Sequence, residues 1–136
     1  LDYLVDGQRA RIQDSQITAS AYKYYSVSPK FARMSKSGWG LSGTQMATSQ
    51  WLQFDLGSVK VLYGVATKGR MVNDWVTSYK VHYSCDKLTW HEYTWSNGSS
   101  LISGNFDLNT EVRHLWKNLS LPTTYEYSQT HLMPQK

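Results

Sequence analysis

The chain has 136 residues, of which 40% are hydrophobic and 18% charged, with a formal net charge of +4. Six Trp, ten Tyr and three Phe supply large apolar side chains for a folded core, which excludes a disordered chain. No segment approaches the roughly 20 apolar residues of a membrane-spanning helix. The positive charge is too mild and too scattered for a nucleic-acid-binding face, so no nucleic-acid partner is expected.

The predicted elements are short β-strands separated by turn residues. In chain order, strands are predicted at residues 16–21, 51–56, 61–67, 79–84, 88–93 and 112–115. The clearest are 51–56 and 79–84, where apolar and polar residues alternate with the two-residue period of a strand. Turn residues lie between the strands, and no amphipathic helix of useful length occurs. This pattern predicts an all-β sandwich or barrel.

Two stretches between the predicted strands are long, irregular and aromatic. The first covers residues 21–30 and the second covers residues 35–49. Long loops in a compact domain are more often functional than incidental, so these two stretches are candidate binding segments.

Six motifs of the chain occur together in the order and spacing of a known family. They are IQDSQITAS (12–20), FARM (31–34), QWLQFDLG (50–57), GVATKGR (64–70), DWVTSYKVHYS (74–84) and GNFD (104–107). The chain therefore resembles the discoidin family, also called the coagulation factor V/VIII type C domain, over about residues 12–119. The resemblance implies a single domain over residues 1–136, with a jelly-roll β-sandwich of about eight strands. It also implies a ligand-binding surface on loops at one end of the sandwich.

The chain departs from this family at its C-terminal end. The family usually joins a cysteine near each terminus in a disulfide, whereas Cys85 is the single cysteine of this sequence. Beyond Pro122 the closing strands of the family cannot be aligned, so we expect them to be divergent or missing. Tyr125 and Tyr127 alternate with polar residues, so residues 123–136 are expected to be poorly ordered or to form one edge strand. An exposed edge strand would favour self-association.

The loops that match the ligand-binding surface of the family contain both apolar and cationic residues. We expect Tyr24, Tyr25, Met71 and Val72 to be exposed, and Trp39 either to be exposed or to pack beneath the loops. Apolar tips flanked by cations suit an anionic phospholipid membrane, and the same aromatic rings suit a glycan. The candidate ligand-binding residues are Tyr24, Tyr25, Val27, Trp39, Leu41, Lys68, Arg70, Met71 and Val72.

The function predicted from these residues and from the resemblance is non-catalytic binding by an extracellular, cell-adhesion type of module. The first choice of ligand is an anionic phospholipid membrane. The alternatives are a lectin-like glycan-binding module, a protein-interaction module and an accessory domain without its own ligand. The sequons at Asn97 and Asn118 favour secretion and a glycoprotein. No enzyme is predicted, because no nucleophile–base set or carboxylate pair stands out.

Four further motifs have simpler interpretations. The G-x-G-x-x-G match at residues 38–43 lacks the following helix of a dinucleotide site, and the four histidines lack zinc-site spacing. Cys85 is read as an ordinary thiol in a turn. Asn105, Asp107 and Asn109 alternate as in a calcium loop, although a structural turn fits equally well. No cofactor is therefore expected, with calcium kept as the alternative.

Overall fold

The computed structural model describes residues 3–6, 12–45, 49–60, 62–72, 74–116 and, for the backbone alone, 124–131. Within these ranges the chain forms three short 3₁₀ turns (Asp14–Gln16, Tyr25–Val27 and Pro29–Phe31) and no α-helix. None of the described residues belongs to a helix long and apolar enough to cross a membrane. The strands are β1 (Ile17–Ala19), β2 (Trp51–Phe54), β3 (Gly64–Thr67), β4 (Ser78–Ser84), β5 (His91–Glu92), β6 (Ile102–Ser103), β7 (Val112–Leu115) and β8 (Thr124–His131).

The strands form two antiparallel sheets. The larger sheet has the order β1-β2-β8-β4-β5, and β6 pairs with β4 as well. The smaller sheet consists of β3 and β7. The prediction of an all-β sandwich is confirmed by this architecture, although β1, β2, β3 and β5 are shorter than the predicted strands. β6 was not predicted, and the sequon at Asn118 lies outside the described residues.

The core lies between the two sheets and is largely aromatic and aliphatic. Tyr79 of β4 makes an edge-on ring contact with His114 of β7, with centroids 6.4 Å apart, which joins the larger sheet to the smaller one. Alternation in β4 places Tyr79 and Val81 on the same face, and both are fully buried. The buried core cluster consists of Ile12, Ile17, Leu52, Leu56, Tyr79, Val81, Trp95 and Trp116.

The position of the C-terminal strand differs from the prediction. β8 lies in the middle of the larger sheet, with Tyr127 opposite Leu52 of β2 on one side and opposite Val81 of β4 on the other. The expectation of a disordered tail or an edge strand was therefore wrong for residues 124–131. The alternation of Tyr125 and Tyr127 indicated a strand, but it could not reveal that β2 and β4 require a strand between them. The exposed edge on which the expected self-association depended is not found there.

Four loops meet at one end of the sandwich, and we name them loop 1 (residues 20–31), loop 2 (residues 35–45), loop 3 (residues 68–72 and 74) and loop 4 (residues 104–110). Loops 1 and 2 lie between β1 and β2, and loop 3 follows β3. Because β3 and β7 are antiparallel, loop 4 lies beside loop 3. β4 runs from this loop end to a turn at residues 85–90, roughly 20 Å away at the opposite end.

Candidate ligand-binding loops

Loops 1 and 2 are joined by hydrogen bonds between their backbones. The Lys23 amide donates to the Gly40 carbonyl at 2.9 Å, and the Gly40 amide donates to the Val27 carbonyl at 3.1 Å. A third bond, 2.9 Å long, runs from the Gly38 amide to the Phe31 carbonyl. These bonds hold the two loops as one unit, so their exposed side chains are presented from a fixed backbone.

Three of the predicted site residues support the loops from below. The indole N–H of Trp39 donates to the Ala21 carbonyl at 2.8 Å, and the ring packs against the core cluster. Of the two alternatives for Trp39, the structure thus selects inward packing. Val27 and Leu41 are buried, which corrects the expectation that they line the ligand surface. Val27 closes the 3₁₀ turn Tyr25–Val27, which directs its side chain inward while Tyr25 faces solvent.

Arg70 connects loop 3 to loop 2 instead of pointing toward a ligand. Its side chain lies across two glycines: a Cβ added to Gly38 would come within 2.7 Å of Arg70 Cγ, and one added to Gly40 within 2.8 Å of Arg70 Cζ. The glycines at positions 38 and 40 are thus explained by the need to admit this side chain. The Arg70 side chain is only 12% exposed, so it lies between the loops and not at their surface.

The guanidinium of Arg70 is held by Asp74. Nε of Arg70 donates to Oδ1 of Asp74 at 2.6 Å, and a second guanidinium nitrogen donates to Oδ2, which makes the pair bidentate. The hydrogen bond to Asp74, opposed by burial and assisted by the Asp74 charge, raises the pKa of Arg70. The Arg70 guanidinium therefore stabilises the conformation of loop 3.

The tip of loop 3 carries two exposed apolar side chains. The backbone of Arg70 and Asp74 forms an antiparallel bridge, with the Arg70 amide donating to the Asp74 carbonyl at 2.8 Å. Met71 and Val72 lie between these residues and are 70% and 64% exposed. The expected exposure of this pair is confirmed, and it results from a tight hairpin whose base is closed by an ion pair.

Loop 1 presents aromatic rings together with lysines. Tyr24 and Tyr25 are both exposed, as expected. The ammonium of Lys30 lies 4.3 Å from the Tyr25 ring centroid, and that of Lys23 lies 5.2 Å from the Tyr24 centroid. The Tyr25 ring also makes an edge-on contact with the Phe31 ring, with centroids 6.0 Å apart. Such cation–π contacts keep positive charge at the apolar surface.

Lys68 adds a cation to loop 3. Its side chain is exposed, and so is that of Lys36 in loop 2. The loop end therefore combines exposed apolar tips with exposed ammonium groups. The structure brings Tyr24, Tyr25, Lys68, Met71 and Val72 to one exposed end, with Trp39, Arg70, Val27 and Leu41 beneath or between them.

The calcium alternative in loop 4 finds no support. The Asp107 carboxylate accepts hydrogen bonds from the amides of Asn109 and Thr110 and from the Thr110 hydroxyl, and the hydroxyl contributes most to the lowered pKa of Asp107. The side-chain amide of Asn105 donates through Nδ2 to the backbone carbonyls of Thr67 and Thr110, each at 3.0 Å. These side chains stabilise the loop itself. Among the described residues, no group of three or more His, Cys, Asp or Glu side chains could hold a metal ion.

Sequence reasoning missed two residues at the loop end. Asp74 was read only as part of a family motif, although its spacing of four residues from Arg70 was a signal for an ion pair. Phe106 was assigned with the rest of its motif to a structural turn, yet its ring is exposed. The signal in that case was a large apolar residue between Asn105 and Asp107.

Comparison with known proteins identifies the family. The F5/8 type C domain model matches residues 16–125. Retinoschisin of Mus musculus is 33% identical over 118 residues, which are 79% of this chain and 53% of retinoschisin. Lactadherin of Bos taurus is 33% identical over 119 residues, which cover 78% of this chain and 28% of lactadherin. The chain thus spans about half the length of retinoschisin and less of lactadherin. It belongs to the F5/8 type C, or discoidin, family and is a non-catalytic domain related to retinoschisin and lactadherin.

Proposed function

We propose that this domain binds anionic phospholipid membranes through loops 1, 2 and 3. The observation that carries the proposal is the hairpin tip of loop 3, where Met71 and Val72 are directed to solvent by the Arg70–Asp74 pair. An exposed pair of apolar side chains above a bridge closed by an ion pair is suited to insertion at the boundary between headgroups and acyl chains.

The apolar and ionic contributions act together. Full burial of each apolar tip is worth about 1–2 kcal/mol, and each lysine close to an anionic membrane adds about 1 kcal/mol. Lys23 of loop 1 and Lys68 of loop 3 are exposed at the same end as the tips. Because loops 1 and 2 are already joined and loop 3 is already closed, binding requires little additional ordering of the backbone.

The test is sedimentation with vesicles of phosphatidylserine and phosphatidylcholine, against vesicles of phosphatidylcholine alone. The double variant Met71→Ser/Val72→Ser is expected to bind the anionic vesicles about tenfold more weakly or worse. Leu88→Ser is the matched control, because Leu88 is exposed in the turn at the opposite end. Equal binding by the double variant and the wild type, with both folded, would contradict the proposal. Raised salt should weaken binding through the lysines.

A glycan ligand is the second candidate, and the exposed rings of loop 1 favour it. Tyr24 and Tyr25 each carry a hydroxyl beside a flat face, and Lys23 lies near the first of them. Retention on a glycan array that is lost in Tyr24→Ala, while vesicle binding stays unchanged, would support this candidate. Trp39→Ala is a poor test of it, because the Trp39 indole links loops 1 and 2.

We propose further that the domain acts outside the cell. Asn97 begins the sequon Asn97-Gly98-Ser99 and lies in an exposed turn, where its side-chain oxygen accepts the Ser99 amide at 2.9 Å. An accessible sequon is what glycosylation in the secretory pathway requires. Secretion from cultured cells, followed by a mass change on enzymatic deglycosylation that Asn97→Gln abolishes, is the expected result.

A further inference from the structure

Loop 4 exposes a large apolar ring that the function proposed above does not use. Phe106 is 67% exposed, comparable with Met71 and Val72 in loop 3. The polar side chains next to it bond to nearby groups of the chain: Asp107 accepts from Thr110, and the side-chain amide of Asn105 donates to two backbone carbonyls. The loop therefore satisfies these polar groups and presents an apolar ring to solvent. A single exposed ring is common on protein surfaces, so its significance depends on its position beside the apolar tip of loop 3.

Loop 4 is in direct contact with loop 3. A Cβ added to Gly69 would come within 2.4 Å of the Leu108 Cα and within 2.6 Å of the Asp107 carbonyl oxygen. The Asn105 amide also donates to the Thr67 carbonyl at the end of β3. The backbones of the two loops are therefore closely packed at Gly69. The exposed ring of loop 4 thus lies at the end that carries Met71 and Val72.

A shallow cleft lies at the base of these two loops. Its volume is about 350 Å³. Trp75, which follows loop 3, and Phe106 are its aromatic walls, and Trp75 is half-buried while Phe106 is largely exposed. The remaining lining residues are Thr77, Ser103, Gly104 and Asn105. Phe106 is the most solvent-facing apolar group of the cleft.

We infer that Phe106 is a third apolar anchor of the membrane-binding surface, inserting beside Met71 and Val72. The inference rests on the function proposed above and extends it to loop 4, for which the sequence predicted a structural turn or, alternatively, a calcium loop. Two observations favour lipid over sugar at this position. The Phe106 ring has no polar group to bond to a hydroxyl, in contrast to Tyr24 and Tyr25. Its backbone support is the lipid-facing loop 3.

The first experiment measures affinity for phosphatidylserine vesicles by sedimentation. Phe106→Ser is expected to weaken binding about tenfold, because insertion buries a full aromatic ring. Phe106→Leu keeps an apolar side chain and is expected to retain most of the affinity. Leu88→Ser removes an apolar side chain that is even more exposed, but at the opposite end, and it is expected to leave the affinity unchanged. Because Phe106 is largely exposed, each variant should keep the wild-type melting temperature.

The second experiment places an environment-sensitive fluorophore at chosen positions. Cysteine is introduced by Phe106→Cys, Met71→Cys or Leu88→Cys in a Cys85→Ser background, and each variant is labelled. On addition of anionic vesicles, the labels at positions 106 and 71 should shift to shorter emission wavelength, while the label at position 88 should not. A shift at position 71 without one at position 106 would overturn the inference and leave the proposed function intact.

The remaining outcomes separate the two proposals. If the wild type binds no anionic vesicle, the proposed function fails and the role of Phe106 fails with it. If the wild type binds and Met71→Ser/Val72→Ser weakens binding while Phe106→Ser does not, only the role of Phe106 is wrong. If Phe106→Ser abolishes binding to a glycan and spares binding to vesicles, the cleft belongs to a sugar site and the inference is overturned.

Discussion

The two ends of the sandwich both expose apolar side chains, but they do so in different settings. At the opposite end, the turn at residues 85–90 carries Leu88, which is 86% exposed. Its neighbours serve the turn itself: the Asp86 carboxylate accepts from the amides of Leu88 and Thr89, each at 2.8 Å, and Lys87 forms an ion pair with Asp55. At the loop end, exposed apolar residues occur on three loops, with exposed lysines among them.

The difference teaches how exposed apolar side chains can be interpreted. Exposed apolar side chains are by themselves ordinary, because apolar atoms make up much of any protein surface. The opposite end accordingly exposes Tyr63 and Leu115 as well as Leu88. Several apolar tips on loops fixed to one another form a continuous surface, and such a surface indicates a binding site. The contacts that fix the loops are therefore as important to the proposal as the tips, and they can be tested separately.

The largest loss of stability and binding is expected from breaking β8, the strand in the middle of the larger sheet. Glu126 lies in β8 between Gln53 of β2 and His82 of β4. Glu126→Pro removes a backbone donor from the middle of the larger sheet and should cost about 3 kcal/mol or more. Thermal denaturation should show a strongly lowered melting temperature or no folded state, and vesicle binding should be lost. Glu126→Gln, which keeps the amide, is the control. A normal melting temperature for the proline variant would contradict the central position of β8.

A smaller effect, confined to the loop end, is expected from Arg70→Ala. The change leaves the partly buried Asp74 carboxylate without its bidentate partner and empties the space above Gly38 and Gly40. A loss of about 1–3 kcal/mol is expected, which lowers the melting temperature by several degrees. Vesicle binding should weaken as well, because Met71 and Val72 lose their fixed hairpin.

Lys87→Ala is the matched control at the opposite end. It also removes one cation from an ion pair, but its pair with Asp55 is largely exposed and should be worth less than about 1 kcal/mol. Binding should be unaffected. If Arg70→Ala and Lys87→Ala reduce stability and binding to the same extent, the Arg70–Asp74 pair has no special role in shaping loop 3.

Much of the fold was predictable from local pattern and resemblance. Alternation identified β2 and β4, and the family motifs identified the sandwich and its loop end. The position of β8 was not predictable, because the period of a strand shows its two faces but not its neighbours in the sheet. The residues beyond Pro122 do not align with the closing strands of the family, so the resemblance did not predict which strands pair with the segment that contains Tyr125 and Tyr127.

The site was predicted in outline but not in detail. Tyr24, Tyr25, Met71 and Val72 could be identified as exposed because they lie in the middle of loops. Burial of Val27 and Leu41, and the use of Arg70 as a bridge, depend on contacts between segments more than 20 residues apart in some cases. No period or spacing within one loop encodes such contacts. The exposure of Phe106 in loop 4 was not predicted, because the polar residues of its motif suggested a structural turn or a calcium loop.

A still smaller effect is expected from loop 1. Tyr25→Ser removes an exposed ring that lies under the Lys30 ammonium, so vesicle affinity should fall a fewfold, in line with one partly inserted aromatic ring. Tyr63→Ser is the matched control, because Tyr63 is similarly exposed but precedes β3, at the end away from loop 3. Both variants should keep the wild-type melting temperature. Equal affinities for the two variants would remove loop 1 from the membrane-binding surface.

The smallest effect is expected from a change of pH. It should change the free energy of unfolding but not vesicle binding by the loops. His82 of β4 lies toward the opposite end, with its Nε2 3.4 Å from Oε1 of Glu92. Burial lowers the pKa of His82, although the charge of Glu92 opposes this shift. The unfolded chain therefore takes up a proton near pH 6.5 that the folded chain resists, and the free energy of unfolding should decrease modestly as the pH falls below about 6.5. Urea denaturation of the wild type and of His82→Gln across this range measures the effect, and the variant should show a flatter dependence. Lysines stay charged in this range, so vesicle binding by the folded fraction should not change. Identical pH dependence for the two proteins would show that His82 takes up its proton equally well in the folded and unfolded states.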